Sequence, residues 1–249
     1  MAYEQPGAGA LDLFPCRYGQ SRLTFRGPRA RLDRPYVVAL GGTETFARTV
    51  SAPWPALVEK RLGRTVANLG CVNAGVDVYL ADPSLRDIAA GADLRIVQIT
   101  GAANLSNPYY TVHPRRNDRF VMATPALRTL FPEVDFTEFH FTRHLLLSLA
   151  RRGPDRFAQV ALALRAVWVE RMGALLDAIG APTVLVWLGP RPVPAEGDLN
   201  TDPVLVDAAM VAAVRPKASD LVVAVTDAAD AAAHARVAAL VASALARRR

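Results

Sequence analysis

The sequence predicts a three-layer α/β/α domain built on a five-stranded parallel, flavodoxin-like sheet. Three observations carry that expectation. Five short β-prone runs alternate with segments of helical spacing, and parallel strands need the crossover connections that helices supply. The first run, Tyr36-Val37-Val38-Ala39-Leu40, is apolar without alternation, as a strand buried on both faces must be. The 249 residues are 51% hydrophobic and 21% charged, enough to bury the core of one α/β domain and too apolar for a disordered chain.

Taken in order, residues 1–35 are rich in Pro, Gly and Arg and are expected to form an extended surface arm, with Leu23-Thr24-Phe25 at most a brief strand. Residues 36–249 then form a single domain. Its first strand stops at Gly41-Gly42. Trp54–Leu62 has helical spacing, with Pro53 and Pro55 at its start and Gly63 at its end. Val66–Leu69 is the second strand, Pro83–Ala90 a helix, and Leu94–Thr100 the third strand, ending at Gly101. From Ala102 to Glu138 the periodicity lapses, apart from a turn of helix at Pro125–Leu130. An insertion at about 105–152 is therefore expected after the third strand, of a length common in lids and binding loops. Helices resume at Phe139–Arg152 and Asp155–Ile179, the second amphipathic through Val160, Leu164, Val167, Met172 and Leu175. Thr183–Leu188 is the fourth strand, Val204–Val214 a helix and Leu221–Val225 the fifth strand. The closing helix, Ala228–Arg248, carries arginines at its negative end.

Composition excludes several function classes. The formal charge of +6 comes from 27 Arg and 2 Lys scattered along the chain, with no nucleic-acid reading module beside them. No run of ~18 apolar residues is present, so no membrane span is expected. Met1–Pro15 lacks a basic region followed by an apolar core, which argues for a cytoplasmic protein. Cys16 and Cys71 supply neither a disulfide framework nor a cysteine zinc site, and Cys71, between Gly70 and Val72, reads as a buried structural thiol.

In doubly wound sheets ligands sit beyond the carboxyl ends of the strands. That directs attention to Gly41-Gly42-Thr43-Glu44-Thr45 after the first strand and Gly101-Ala102-Ala103-Asn104 after the third. With Asn68-Leu69-Gly70-Cys71-Val72-Asn73-Ala74-Gly75 after the second, these blocks resemble the SGNH (GDSL-like) hydrolases, a superfamily of α/β esterases, thioesterases and lipases. The resemblance puts Thr43 at the nucleophile position. It implies an oxyanion hole made by the Thr43 N–H, a backbone donor at Gly70 or Gly75, and the Asn104 amide. Two departures stand out. Thr replaces Ser, and the closing block reads Thr226-Asp227-Ala228-Ala229-Asp230, with Asp230 where the base histidine belongs. His234 lies four residues on, inside the last helix, and both it and Asp230 read as surface positions. The chain also resembles an uncharacterised bacterial family carrying Gly-Gly-Ser/Thr-Glu-Thr together with the insertion motifs around His113 and His140.

That insertion holds the candidate replacement bases: His113, His140 and His144. His140 and His144 have the spacing of one helix face, which suits a metal pair or a packed pair, but no third ligand has a diagnostic spacing, so neither a metal nor a cofactor is expected. Arg115, Arg116 and Arg119 can clamp an anion or form a solvated loop, and Arg143 joins them as a candidate for anion selection at the Thr43 pocket. Tyr109 and Tyr110 either line a carbohydrate site or anchor the loop. Thr43, Glu44 and Thr45 either cap a helix or form the site, and Asn104 either shapes a turn or serves as a donor.

Two functions follow. The first is a divergent SGNH-like hydrolase acting on an ester such as an acylated carbohydrate. The second is a catalytically impaired relative that binds a small anionic or carbohydrate ligand. Either way the expected partner is a small molecule, not nucleic acid or membrane.

Overall fold

A computed structural model describes residues 12–228 and 230–246. Five parallel strands form the central sheet: β1 (Val37–Gly41), β2 (Val66–Gly70), β3 (Leu94–Gln98), β6 (Thr183–Gly189) and β7 (Asp220–Val225), in the order β2-β1-β3-β6-β7. Between β3 and β6 in sequence, β4 (Tyr110–His113) and β5 (Arg116–Ala123) pair separately as an antiparallel hairpin. Strand order reverses between β1 and β3, whose carboxyl ends therefore open a crevice.

β1 explains the layers. All five of its residues are buried, Val38 and Leu40 in one hydrophobic cluster and Val37 and Ala39 in the other, because successive side chains leave opposite faces. On the Val37 face lie α2 (Trp54–Leu62), through Trp54 and Val58, and α9 (Ala231–Ala246), through Val237 and Val241. The other face carries α4 (Pro83–Ala90), α6 (Thr142–Arg152), α7 (Pro154–Ile179) and α8 (Ala208–Val214), through Leu85, Leu145, Trp168 and Met210. Shorter helices α1 (Thr43–Phe46), α3 (Asp77–Leu80) and α5 (Pro125–Leu130) fill the connections. No described helix is long and apolar enough to cross a membrane.

The expected α/β/α architecture and its five strands are present, and three local expectations are corrected. The aperiodic insertion contains the β4–β5 hairpin, whose Tyr110, Val112, Phe120 and Ala123 are buried while Arg116, Val121 and Met122 are exposed. The arm does not lie loosely on the surface: Tyr18 and Phe25 are 1% and 0% exposed, and buried Arg26 donates to the carbonyls of Val50 and Ser51 at 2.7 and 2.8 Å. Residues 1–11 of that arm lie outside the described residues.

His234 is the third correction. It is 1% exposed, and its Nδ1 accepts the Trp54 N–H at 3.1 Å. Pro53 precedes α2 and has no side chain able to satisfy the free N–H groups there, so an imidazole from α9 supplies the missing acceptor. Asp230 caps α9 itself, accepting from the Ala233 N–H at 2.7 Å. Burial lowers the His234 pKa below its ordinary 6.5. The unfolded chain therefore takes a proton near pH 6.5 that the folded chain refuses, so the stability held above that pH is lost as pH falls toward the folded value. Urea midpoints measured between about pH 7.5 and 5 should fall with this slope, and His234→Gln should flatten it. An unchanged slope in the variant would remove His234 as the cause.

Candidate functional site

The crevice between the ends of β1 and β3 holds a cavity of about 330 Å³. Gly42, Thr43 and Glu44 line one side and Asn73 and Asn104 another, with Asp118 from the hairpin, Thr142 and Arg143 from α6, and Asp202 completing the polar wall.

Beneath this wall, Gln98 at the end of β3 fixes the Thr43 turn. It is 4% exposed. Its Oε1 accepts the Gly42 N–H at 2.9 Å and the Thr45 hydroxyl, and its Nε2 donates to Glu44 Oε2 at 2.6 Å. Thr45 is thus wholly buried under the pocket, whereas Glu44 borders it. Gly41 is required by this packing, since a Cβ there would lie 2.5 Å from Gln98 Oε1.

Thr43 does not cap α1. Gly42 occupies the cap position without a side-chain bond, and the exposed Thr43 hydroxyl reaches across to Asn73. It accepts the Asn73 backbone N–H at 3.0 Å and donates to Asn73 Oδ1 at 3.1 Å. The amide orientation follows from its other end, where Asn73 Nδ2 donates to Asp118 Oδ2 at 3.1 Å, leaving Oδ1 for the hydroxyl. Asn104 extends the network: Nδ2 donates to the Asn73 carbonyl at 3.0 Å, and Oδ1 accepts the Thr142 hydroxyl at 2.7 Å. The turn function belongs instead to Asn107, whose Oδ1 accepts the N–H groups of Tyr109 and Tyr110.

Gly70 and Gly75 do not present free donors. The Gly70 N–H bonds Asn68 Oδ1 at 2.9 Å, and the Gly75 N–H bonds Asn117 Oδ1 at 3.0 Å. Their lack of a side chain serves packing: a Cβ at Gly75 would fall 1.8 Å from the Asn104 carbonyl oxygen, and one at Gly70 would fall 2.5 Å from the Phe46 nitrogen. The backbone N–H beside Thr43 is that of Asn73, held at φ 56°, a left-handed conformation that Asn tolerates better than most residues.

None of the four histidines lines the Thr43 cavity. His113 lines a separate cleft with Arg115, Arg116 and Arg119. His140 is exposed ahead of α6, and His144 is exposed on α6 with its ring 5.0 Å from that of Phe139, so the two do not share a helix face. Arg143 is at the cavity rim, where it pairs with Asp202 at 3.3 Å and donates to the carbonyls of Leu199 and Asn200. Tyr110 is a buried anchor that donates to the Ala103 carbonyl at 2.6 Å, and Tyr109 is half-buried away from the cavity. Cys71 is 7% exposed, and burial pushes its thiol up to about 12, so it stays protonated. Among the described residues no three His, Cys, Asp or Glu side chains form a group able to hold a metal ion.

The family described as "Domain of unknown function (DUF6473)" matches residues 1–248. The chain belongs to that family. No curated protein matches it in sequence. Among solved structures, it is similar to a carbohydrate esterase family 2 enzyme plus carbohydrate binding domain from Corynascus thermopiles (Myceliophthora fergusii). The identity is 11% and the TM-score 0.48, with 89% of this chain and 68% of that one covered.

In this member of the family, sequence reading missed Asn73, Gln98, Asp118, Thr142 and Asp202 as site residues. Gln98 had a signal, a polar residue directly after Ile96-Val97 in a strand expected to be buried, where it needs a buried partner. Asp118 and Asp202 had none, because loop and hairpin geometry alone brings them to the cavity.

Proposed function

We propose that the Thr43 pocket binds a small, hydroxyl-rich neutral ligand such as a carbohydrate, on an SGNH-like scaffold that does not assemble a histidine-based acyl-transfer centre. One observation carries this reading: the Thr43 hydroxyl donates to an amide oxygen held in place by Asp118. An amide oxygen is too weak a base to take that proton, so the hydroxyl stays a poor nucleophile. It remains a good hydrogen-bonding group. Glu44, Asp118 and Asp202 outnumber Arg143, which Asp202 already partners, and this balance favours ligand hydroxyls over ligand anions. A volume of about 330 Å³ lies at the small end of ligand pockets.

Ester hydrolysis is the second reading, favoured by the Asn73 N–H beside the Thr43 hydroxyl: it now bonds that hydroxyl at 3.0 Å, and it could serve an oxyanion only by exchanging that bond for one to a substrate carbonyl oxygen. Calorimetry with neutral mono- and oligosaccharides, beside a panel of short acyl esters, separates the two. Binding without turnover is expected. Thr43→Ala should weaken binding about fivefold, the loss of one hydrogen bond of about 1 kcal/mol. Ester turnover that disappears in Thr43→Ala would establish the hydrolase instead.

A further inference from the structure

We propose that the chain has a second ligand site, distinct from the Thr43 pocket, which takes a small molecule bearing several phosphate or sulfate oxyanions. A cleft of about 800 Å³ runs between the N-terminal arm, the end of α1 and the tip of the β4–β5 hairpin. Arg22, Arg48, Arg115, Arg116, Arg119 and His113 line it, and no Asp or Glu does. These five guanidinium groups come from three segments far apart in sequence, so the fold, not a local charge run, gathers them.

Concentration in one cleft whose lining holds no carboxylate, and not the want of ion pairs alone, distinguishes this cluster from the general arginine excess. Eight other arginines, including Arg143, Arg156 and Arg191, form ion pairs with carboxylates. Among the described residues none of the five does. Gathering like charges on one wall works against the compact state unless an anion neutralises them. Guanidinium forks match the oxygen geometry of phosphate and sulfate, and several forks on one cleft favour an anion with more than one such group. Two members are already positioned. Arg119 stacks over the Phe141 ring at 4.2 Å, and His113 Nδ1 accepts the Arg115 N–H at 3.2 Å, which leaves the opposite ring nitrogen to carry the imidazole proton.

The two sites are opposite in character. Glu44, Asp118 and Asp202 line the Thr43 pocket, and the cleft's lining includes arginines but no carboxylate, so a polyanion entering this end of the molecule is directed away from Thr43. Anion selection, expected from the sequence at the Thr43 pocket, belongs on this reading to the neighbouring cleft.

Inorganic tripolyphosphate is the probe. Calorimetry on the full chain should show one site whose affinity falls as salt rises. Arg115→Gln/Arg116→Gln should weaken it at least tenfold, while the unliganded variant melts no lower than wild type, because neither side chain holds a partner and the like-charge repulsion on that wall falls. Glu44→Gln, in the other pocket, should leave tripolyphosphate binding unchanged. Absence of binding, or binding that survives the double arginine variant, would overturn the proposal. So would a single-stranded oligonucleotide that binds more tightly than tripolyphosphate and displaces it, which would make the cleft a nucleic-acid surface.

Discussion

Gly75→Ala should destabilise the protein by about 3 kcal/mol and abolish ligand binding in the Thr43 pocket. The added methyl would meet the Asn104 carbonyl oxygen at 1.8 Å, and a backbone atom cannot rotate away as a side-chain end can. Relief requires the loop after β2 and the loop after β3 to separate. Those loops carry Asn73 and Asn104, whose bond at 3.0 Å ties the two sides of the cavity together. The Gly75 N–H would also lose its alignment with Asn117 Oδ1, the bond that ties the hairpin to this loop; Asn117 is wholly buried, and its Nδ2 donates to the His113 carbonyl within the hairpin. One methyl thus loosens three segments. Gly63→Ala is the control: Gly63 sits at φ 63° at the end of α2 with open space around it, so substitution strains the backbone by about 1 kcal/mol and leaves the pocket intact. Denaturation midpoints and ligand titrations on both variants test the contrast. An effect of Gly75→Ala no larger than that of Gly63→Ala would show that the pocket does not depend on the close approach of the two loops.

Gly75 also shows where sequence reading runs out. Glycine signals a backbone that must come close to something, and at Gly70 and Gly75 that something is protein, not a substrate oxygen. The strands were legible because burial on both faces forces apolar runs, unbroken at Val37–Gly41 and after Thr183 in Thr183–Gly189, and interrupted within Leu94–Gln98 by Arg95. The hairpin was not, because its short strands bury only one face, a bulge interrupts their register, and apolar Val121 and Met122 lie exposed, which breaks the alternation. His113, His140 and His144 were the natural candidates for a missing base, yet none of them lines the Thr43 cavity. Proximity in three dimensions depends on how the insertion folds back, and nothing in the spacing of His113 or Asp118 states that Asp118 meets Asn73 while His113 turns toward the arginine cleft.

Gln98→Leu should cost about 2–4 kcal/mol, because one substitution strands two buried donors. Leucine matches glutamine in bulk, so little cavity forms and the loss is polar in origin. The Gly42 N–H and the Thr45 hydroxyl both point at Gln98 Oε1, and Thr45 is wholly buried. At the opposite end Glu44 loses its donor and is free to swing into the cavity. Gln98→Glu separates these parts. It restores the acceptor for Gly42 and Thr45 but sets a carboxylate against Glu44, so it should recover little of the lost stability near neutral pH and more of it in acid, where one carboxyl takes a proton. The double variant Gln98→Glu/Glu44→Gln reverses the amide and the acid and should recover most of the loss, with a coupling energy of at least about 1 kcal/mol in a double-mutant cycle. Additive effects of the two substitutions would mean that Glu44 and Gln98 do not act as a pair, and that the Thr43 turn is held by its backbone alone.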